Sequence, residues 1–198
     1  VLRAANYHNI RRFDACWVGD FAGQDNLAGA LSHPPRLPDV PVEYLGCLSR
    51  FLPGARDKRL DLTVVISGPE PQRTLFREMI ASQLQDTALK VLVVEGLPSG
   101  QAPPATRGSV TTVPHLGAQA LNEVLLESRM VLCRAGYSSV MDLVATGTRA
   151  ILVPTPGQTE QEYLAGYLEE HAYFRAAPQR RFRLSEALAR AGDFPFRA

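Results

Sequence analysis

Two short turns carry the residues best suited to chemistry. Ser67-Gly68-Pro69-Glu70-Pro71 and Arg134-Ala135-Gly136-Tyr137-Ser138-Ser139 each end an apolar run and open a helical pattern. A small-residue turn at a helix start lets backbone N–H groups approach an anion, and the helix end adds partial positive charge. The chemistry on offer is phosphate binding. In the first turn Pro69, Glu70 and Pro71 leave few donors beside Gly68, and a tight strand-to-helix connection needs such a turn with or without phosphate. In the second, Ser139-Val140-Met141-Asp142 has capping-box spacing. The hydroxyls of Ser138 and Ser139 equally suit a diphosphate, and one serine can cap while its neighbour faces a ligand.

Asp142 has two readings as well. Val140, Leu143 and Val144 mark a buried stripe, so Asp142 points away from it. As an acid near a helix start it suits the helix dipole. Beside a phosphate site it could instead accept from both hydroxyls of a ribose, as acids do in dinucleotide folds. Gln158-Thr159-Glu160-Gln161-Glu162 opens the next helix, and Thr159 to Glu162 is again a capping box in spacing. Its amides and acids also form a hydrogen-bonding surface for sugar hydroxyls, since each amide carries donors and an acceptor. Leu164, Tyr167 and Leu168 form the apolar face, so Gln161 can face a cleft. His115 lies in a turn and reads as a surface or capping residue. The four histidines are not in metal spacing, and there is no nucleophile elbow, Walker loop or zinc set.

These groups need strands and helices to hold them. Residues 1–12 read as a basic helix with Arg3, Arg11 and Arg12, and Phe13 to Val18 as a strand. Gly19 to Pro41 is long and irregular, the pattern of a functional loop or a linker. Val42 to Leu45 reads as a short strand, with a boundary at residues 46–58. A regular alternation then begins. Strands are expected at Leu60 to Ile66, Lys90 to Val94, Val110 to Val113, the run ending near Cys133, Ala150 to Val153 and Ala172 to Arg175. Helices are expected at Pro71 to Leu84, Ala118 to Glu127, the stretch closed by Gly147, from Thr159, and at Leu184 to Ala191. Phe76, Ile80 and Leu84 make a stripe with Leu75 and Met79 beside it, while Leu121, Val124 and Leu125 face inward on the next helix. Glu95 to Gly108 reads as a flexible loop and GDFPFRA as a frayed end. The fold class is α/β: a Rossmann-like parallel sheet with helices on both faces.

The 198 residues are 45% hydrophobic and 21% charged, with formal net charge +1. Near-neutral charge excludes a general electrostatic grip on nucleic acid. No run is long and apolar enough to span a bilayer as a helix. Cys16, Cys47 and Cys133 are odd in number and in no metal or disulfide spacing, which favours a reducing compartment. Cys133 reads as a small buried residue. With no initiator Met and an opening in mid-helix, the chain reads as a fragment.

The stretch CRAGYSSVMDLVATGTRAILVPTPGQTEQEYLA resembles the carboxyl-terminal donor-binding domain of MurG-like glycosyltransferases, family 28, of GT-B fold. The resemblance covers about residues 46–175 and is strongest over 131–168. It implies the carboxyl-terminal half of a GT-B fold, with residues 1–45 a remnant of the acceptor domain and crossing segment and residues 46–198 the nucleotide-sugar domain. It places Asp142 where a family Glu holds the ribose, Gln161 and Glu162 where a Gln pair holds the sugar, and Gly68 in the first phosphate loop. Gly46 and Arg50 match a Gly and an Arg of the interdomain linker, whose Arg approaches the phosphates. Several positions depart from the pattern. The Gly-Gly-Ser-x-Gly loop has lost a hydroxyl and two glycines, Glu162 replaces an amide, Ala165 replaces an Asn, and Asp142 is one methylene shorter than Glu.

The resemblance implies a hexosyltransferase that uses a UDP-sugar, with UDP-N-acetylglucosamine as first candidate, and inverts on transfer to an acceptor hydroxyl. The expected donor-binding residues are Arg50, Gly68, Gly136, Ser138, Ser139, Asp142, Gln158, Gln161 and Glu162. No metal or cofactor is implied, because helix dipoles and Arg can carry the leaving diphosphate's charge. The base is expected on a missing acceptor domain, leaving this chain inactive alone. The implied partners are the UDP-sugar and, through that domain, a glycan or lipid-linked acceptor, with a homodimer as a further expectation. The implied location is the cytoplasm, or the inner face of the membrane for a longer chain. A UDP-sugar hydrolase and a non-catalytic nucleotide-sugar binder are the alternatives.

Overall fold

A computed structural model describes residues 2–97, 100 and 102–197. Val1, Pro98, Ser99, Gln101 and Ala198 belong to the expected first helix, loop and frayed end, and lie outside the described residues. The chain divides into two compact units, Val1–Leu48 and Ser49–Ala198.

The first unit holds α1 (Leu2–Ile10), β1 (Cys16–Val18) and β2 (Val42–Tyr44). β1 and β2 pair in parallel, with Cys16 opposite Val42 and Val18 opposite Tyr44. The expected Gly19–Pro41 segment is not loosely held. Asp20 is fully buried at its root and accepts from the N–H groups of Phe21, Leu27 and Ala28 and from the Ser32 hydroxyl, at 2.6–3.1 Å. Asn26 adds two backbone bonds, to Gly23 and Gly29. One buried carboxylate with four donors therefore organises a Gly- and Pro-rich loop that has no ladder of its own.

The second unit runs β3 (Leu60–Val65), α2 (Gln72–Gln83), β4 (Val91–Val94), β5 (Ala105–Arg107), β6 (Val110–Val113), α3 (Ala118–Glu127), β7 (Ser128–Cys133), α4 (Tyr137–Thr146), β8 (Ala150–Leu152), α5 (Thr159–Glu170), β9 (Arg175–Ala176) and α6 (Leu184–Gly192). Among the described residues seven strands form one sheet in the order β5-β6-β4-β3-β7-β8-β9. All pairs are parallel except β5 with β6. The expected all-parallel sheet thus gains one antiparallel edge strand inside the stretch read as a loop. Its Ala-Thr-Arg sequence is exposed throughout and carries no apolar period to announce it. The last strand lies at Arg175–Ala176, after most of the expected Ala172–Arg175.

β3 is flanked by β4 and β7, and its residues alternate between two covered faces. Leu62, Val64 and Ile66 pack with Phe76 and Ile80 from α2, with Leu84 at its C-cap, and with Phe182, Leu184 and Ala187 at α6. The expected α2 stripe therefore holds, but Leu75 beside it is 47% exposed. On the opposite face Thr63 meets Ser128 at 2.7 Å, and Ser128 donates to the Val124 carbonyl of α3. α3 buries the expected Leu125 together with Leu126, while the expected Leu121 and Val124 are half-buried. α4 ends where expected, on Gly147 at φ 62°, a left-handed cap suited to glycine.

Candidate functional site

The connections after β3 and β7 leave in opposite directions. β3 leads through α2 to β4 on one side, and β7 leads through α4 to β8 on the other. The carboxyl ends of β3 and β7 are therefore a topological switch point, where open α/β sheets bind ligands. Val65 lies opposite Cys133, and Cys133 opposite Leu152. The turns at Gly68 and Gly136 and the Pro154–Gln158 loop consequently leave the sheet side by side. Gly96 supports the first turn from β4. At φ +64°, a Cβ on it would stand 2.3 Å from the Ile66 carbonyl oxygen, so only glycine fits.

Gly68 is exposed, at φ +102°, with open space where a Cβ would point. The start of α2 beside it is already served by an anion. Glu70 accepts from the Thr74 N–H at 3.2 Å and pairs with Arg73. Its hydrogen bonds with Thr74, and then Arg73, hold the Glu70 carboxyl below the usual range. The turn expected to face phosphate thus sets its own carboxylate over the α2 N-terminus.

α4 starts on Gly136, which has no side chain and makes no capping bond. Ser139 is the third residue of α4, so the expected Ser139–Asp142 capping box does not form. Asp142 sits in the second turn instead. Without a side-chain cap, the α4 start keeps its partial positive charge toward the crevice. Ser138 is exposed and Ser139 half-buried on that first turn.

Asp142 is half-buried and accepts from the Ser49 hydroxyl at 2.6 Å through Oδ1. Ser49 also accepts from the Phe51 N–H at 3.0 Å. Leu52 is fixed to Asn122 of α3 by two bonds, from its N–H at 2.7 Å and to its carbonyl at 3.1 Å. These contacts bring Arg50, exposed and stacked 5.3 Å over Phe51, to the α4 side of the crevice. Ser49 and Asn122 escaped the sequence reading, because their bonds span 93 and 70 residues.

Gln158, Gln161 and Glu162 gather where expected, yet they serve the loop before them. Gln161 accepts from the Thr155 N–H at 2.9 Å and donates to the Gln158 side chain. Glu162 accepts from the Gly157 N–H at 3.0 Å. Gln158 is the α5 N-cap residue without a side-chain cap, so the Thr159–Glu162 capping box also fails. Ala165, aligned with a family Asn, is buried with Leu164 and Leu168 and faces the core.

Arg134 opens the second turn. It is 2% exposed and lies 4.1 Å over the Phe76 ring. Its guanidinium donates to the carbonyls of Val153 and Pro154 at 3.3 and 3.4 Å, to Gln72 at 3.0 Å and to the Gln179 side chain at 2.6 Å. Among the described residues no carboxylate pairs with it. Burial lowers its pKa to about 10, so it stays charged at neutral pH. An Arg placed directly after a buried strand was the available signal. Cys133 next to it is buried as expected, and desolvation, then Asp142, pushes its thiol up to about 12.

His115 is exposed. Among the described residues no group of His, Cys, Asp or Glu could hold a metal ion. No helix among them is long and apolar enough to cross a membrane.

Residues 110–193 match the model of the glycosyltransferase family 28 C-terminal domain. No curated protein matches the chain. Solved structures share the fold. MurG of Acinetobacter baumannii is 16% identical, with TM-score 0.57, over 92% of this chain and 52% of that one. The spinosyn forosaminyltransferase SpnP is 15% identical, with TM-score 0.53, over 80% and 43%. The glycotransferase of kitacinnamycin is 13% identical, with TM-score 0.56, over 78% and 41%. The chain thus spans about half the length of these structures or less. At such identities the likeness concerns the fold, an α/β, Rossmann-like unit, and residues 110–193 of it resemble the glycosyltransferase family 28 C-terminal domain.

Proposed function

We propose that the Ser49–Ala198 unit binds a UDP-sugar donor for an inverting hexosyltransferase, with UDP-N-acetylglucosamine as the first donor to test. The observation that carries this reading is the switch point between β3 and β7, where an uncapped α4 start adjoins an acid on the same helix. Donors at the α4 start, with Arg50, would meet the diphosphate. Asp142 would take the ribose hydroxyls, and Gln158, Gln161 and Glu162 the sugar. Stabilisation of the leaving diphosphate by N–H groups, the helix dipole and Arg needs no metal. A base from an acceptor domain would deprotonate the acceptor hydroxyl and make the reaction a direct displacement with inversion. In this reading the Val1–Leu48 unit belongs to that domain, the acceptor is a glycan or lipid-linked sugar, and this chain alone does not turn over.

Calorimetric titration with UDP, beside ADP and UDP-N-acetylglucosamine, tests the reading. Saturable binding of UDP in preference to ADP is expected. Equal affinity for the two, or no uptake of either, would remove its basis.

A further inference from the structure

We propose that Arg134 is a positioning residue: its buried guanidinium locks the three connections around the crevice into one arrangement and sets the diphosphate contacts through them. This rests on the donor-binding reading above. The side chain leaves the end of β7 and reaches each neighbouring connection. Nη2 bonds the Gln72 carbonyl, which belongs to the first residue of α2 and follows the Gly68 turn. Nη1 bonds the Val153 and Pro154 carbonyls at the start of the loop that Gln161 and Glu162 fasten farther along. The same nitrogen bonds Gln179, between β9 and α6. Phe76 closes the face of the guanidinium. Only a planar fork with several fixed donors can hold partners in such different directions, and a Lys cannot copy it.

The charge has a second consequence. A buried cation is normally matched by a carboxylate, and here neutral carbonyls and an amide stand in its place. Among the described residues neither its Nε nor the Gln72 Oε1 has a hydrogen-bond partner. With no carboxylate paired to it among the described residues, the positive charge beside the α4 start favours an anion in the crevice, and the low dielectric around it extends its reach. The bonds hold the turns in place before the anion arrives, so little reorganisation is left to binding.

The test compares the wild-type chain with Arg134→Lys, Arg134→Met and Gln179→Ala. Two quantities are read: hydrogen exchange at the Arg73, Leu75 and Gln158 amides, and the ratio of UDP to UMP affinity. Gln179→Ala leaves the charge and removes one bond of the clamp, so it decides the case even if Arg134→Met fails to fold. Faster exchange is expected at all three amides in both Arg134→Lys and Gln179→Ala. The UDP-to-UMP ratio is expected to fall about tenfold in Arg134→Met and less in Arg134→Lys, because Lys keeps the charge. A general loss of stability would weaken both nucleotides alike and leave the ratio unchanged. Unchanged exchange in both Arg134→Lys and Gln179→Ala overturns the clamp. An unchanged ratio in folded Arg134 variants overturns its link to diphosphate. Failure of the wild-type chain to bind UDP removes the donor-binding reading itself, and the exchange measurement still decides whether Arg134 locks the turns.

Discussion

Replacing Asp142 by Ala is expected to weaken UDP binding roughly ten- to hundredfold, through about 1.5–3 kcal/mol of one charged hydrogen bond. The figure is for one bond because of Ser49. Asp142 Oδ1 already accepts the Ser49 hydroxyl at 2.6 Å. A ribose offers two hydroxyl donors. The one that reaches Oδ2 is a net gain, whereas the one that reaches Oδ1 only exchanges with Ser49. Removing Ser49 should therefore not weaken UDP, and Ser49→Ala is expected to bind it as well as the wild type or better. Both substitutions cost stability through the lost Ser49–Asp142 bond, by about 1 kcal/mol, so the titrations belong well below the unfolding midpoint. The assay is calorimetry with UDP on wild type, Asp142→Ala and Ser49→Ala, with 2′-deoxy-UDP as the ribose control. If Asp142→Ala binds UDP within twofold of a wild type that binds it well, Asp142 is a tether for Ser49 and the ribose assignment is wrong. If Ser49→Ala weakens UDP as much as Asp142→Ala does, the effect comes from the geometry of the Ser49–Leu52 segment.

Glu70→Gln is expected to strengthen UDP binding in a calorimetric titration, because the native carboxylate competes with phosphate for the α2 start; weaker binding would contradict this. Glu70 also has a pH signature. Its folded pKa is depressed by Thr74 and Arg73, so its contribution to stability is present above the unfolded carboxylate pKa and is lost as pH falls through the folded one. An NMR titration should find it below the ordinary value of about 4.3, and an ordinary midpoint would refute the cap. Gly96→Ala should destabilise the chain by about 1–3 kcal/mol from backbone strain alone, with the clash at the Ile66 carbonyl adding to it; an unshifted thermal midpoint would show that the Gly96 backbone is placed wrongly. Thr63→Val removes a buried donor to Ser128 and should cost about 0.5–1.5 kcal/mol in urea unfolding, with the slope unchanged.

The alternation of strands and helices was legible because each buried strand is a short apolar run and each helix repeats its apolar residues at helical spacing. The α2 stripe of Phe76, Ile80 and Leu84 and the Gly147 stop are local signals, and they hold. Both capping boxes failed for a physical reason. The spacing Ser/Thr-x-x-acid marks a helix start only when the first residue lies outside the helix. Here Gly136 and Gln158 start the helices one to three residues earlier, and the acids turn to other partners. β5 was missed because an exposed edge strand needs no apolar period. The first unit's Asp20 was missed because a buried acid in a loop looks in sequence like any surface acid.

By itself the sequence determined the α/β class, the places of the two turns and the helix that carries Asp142, because these depend on neighbours within about one helical turn or one strand. Which strands lie side by side is decided by packing, and it alone made β3 and β7 a switch point with both turns at one crevice. The uses of the polar side chains are also tertiary. Glu70 serves the α2 start, Ser49 reaches Asp142 across 93 residues, and Arg134 joins four segments through carbonyls that no local pattern announces. A backbone carbonyl is identical in every residue, so only the fold can say which ones a buried cation will meet.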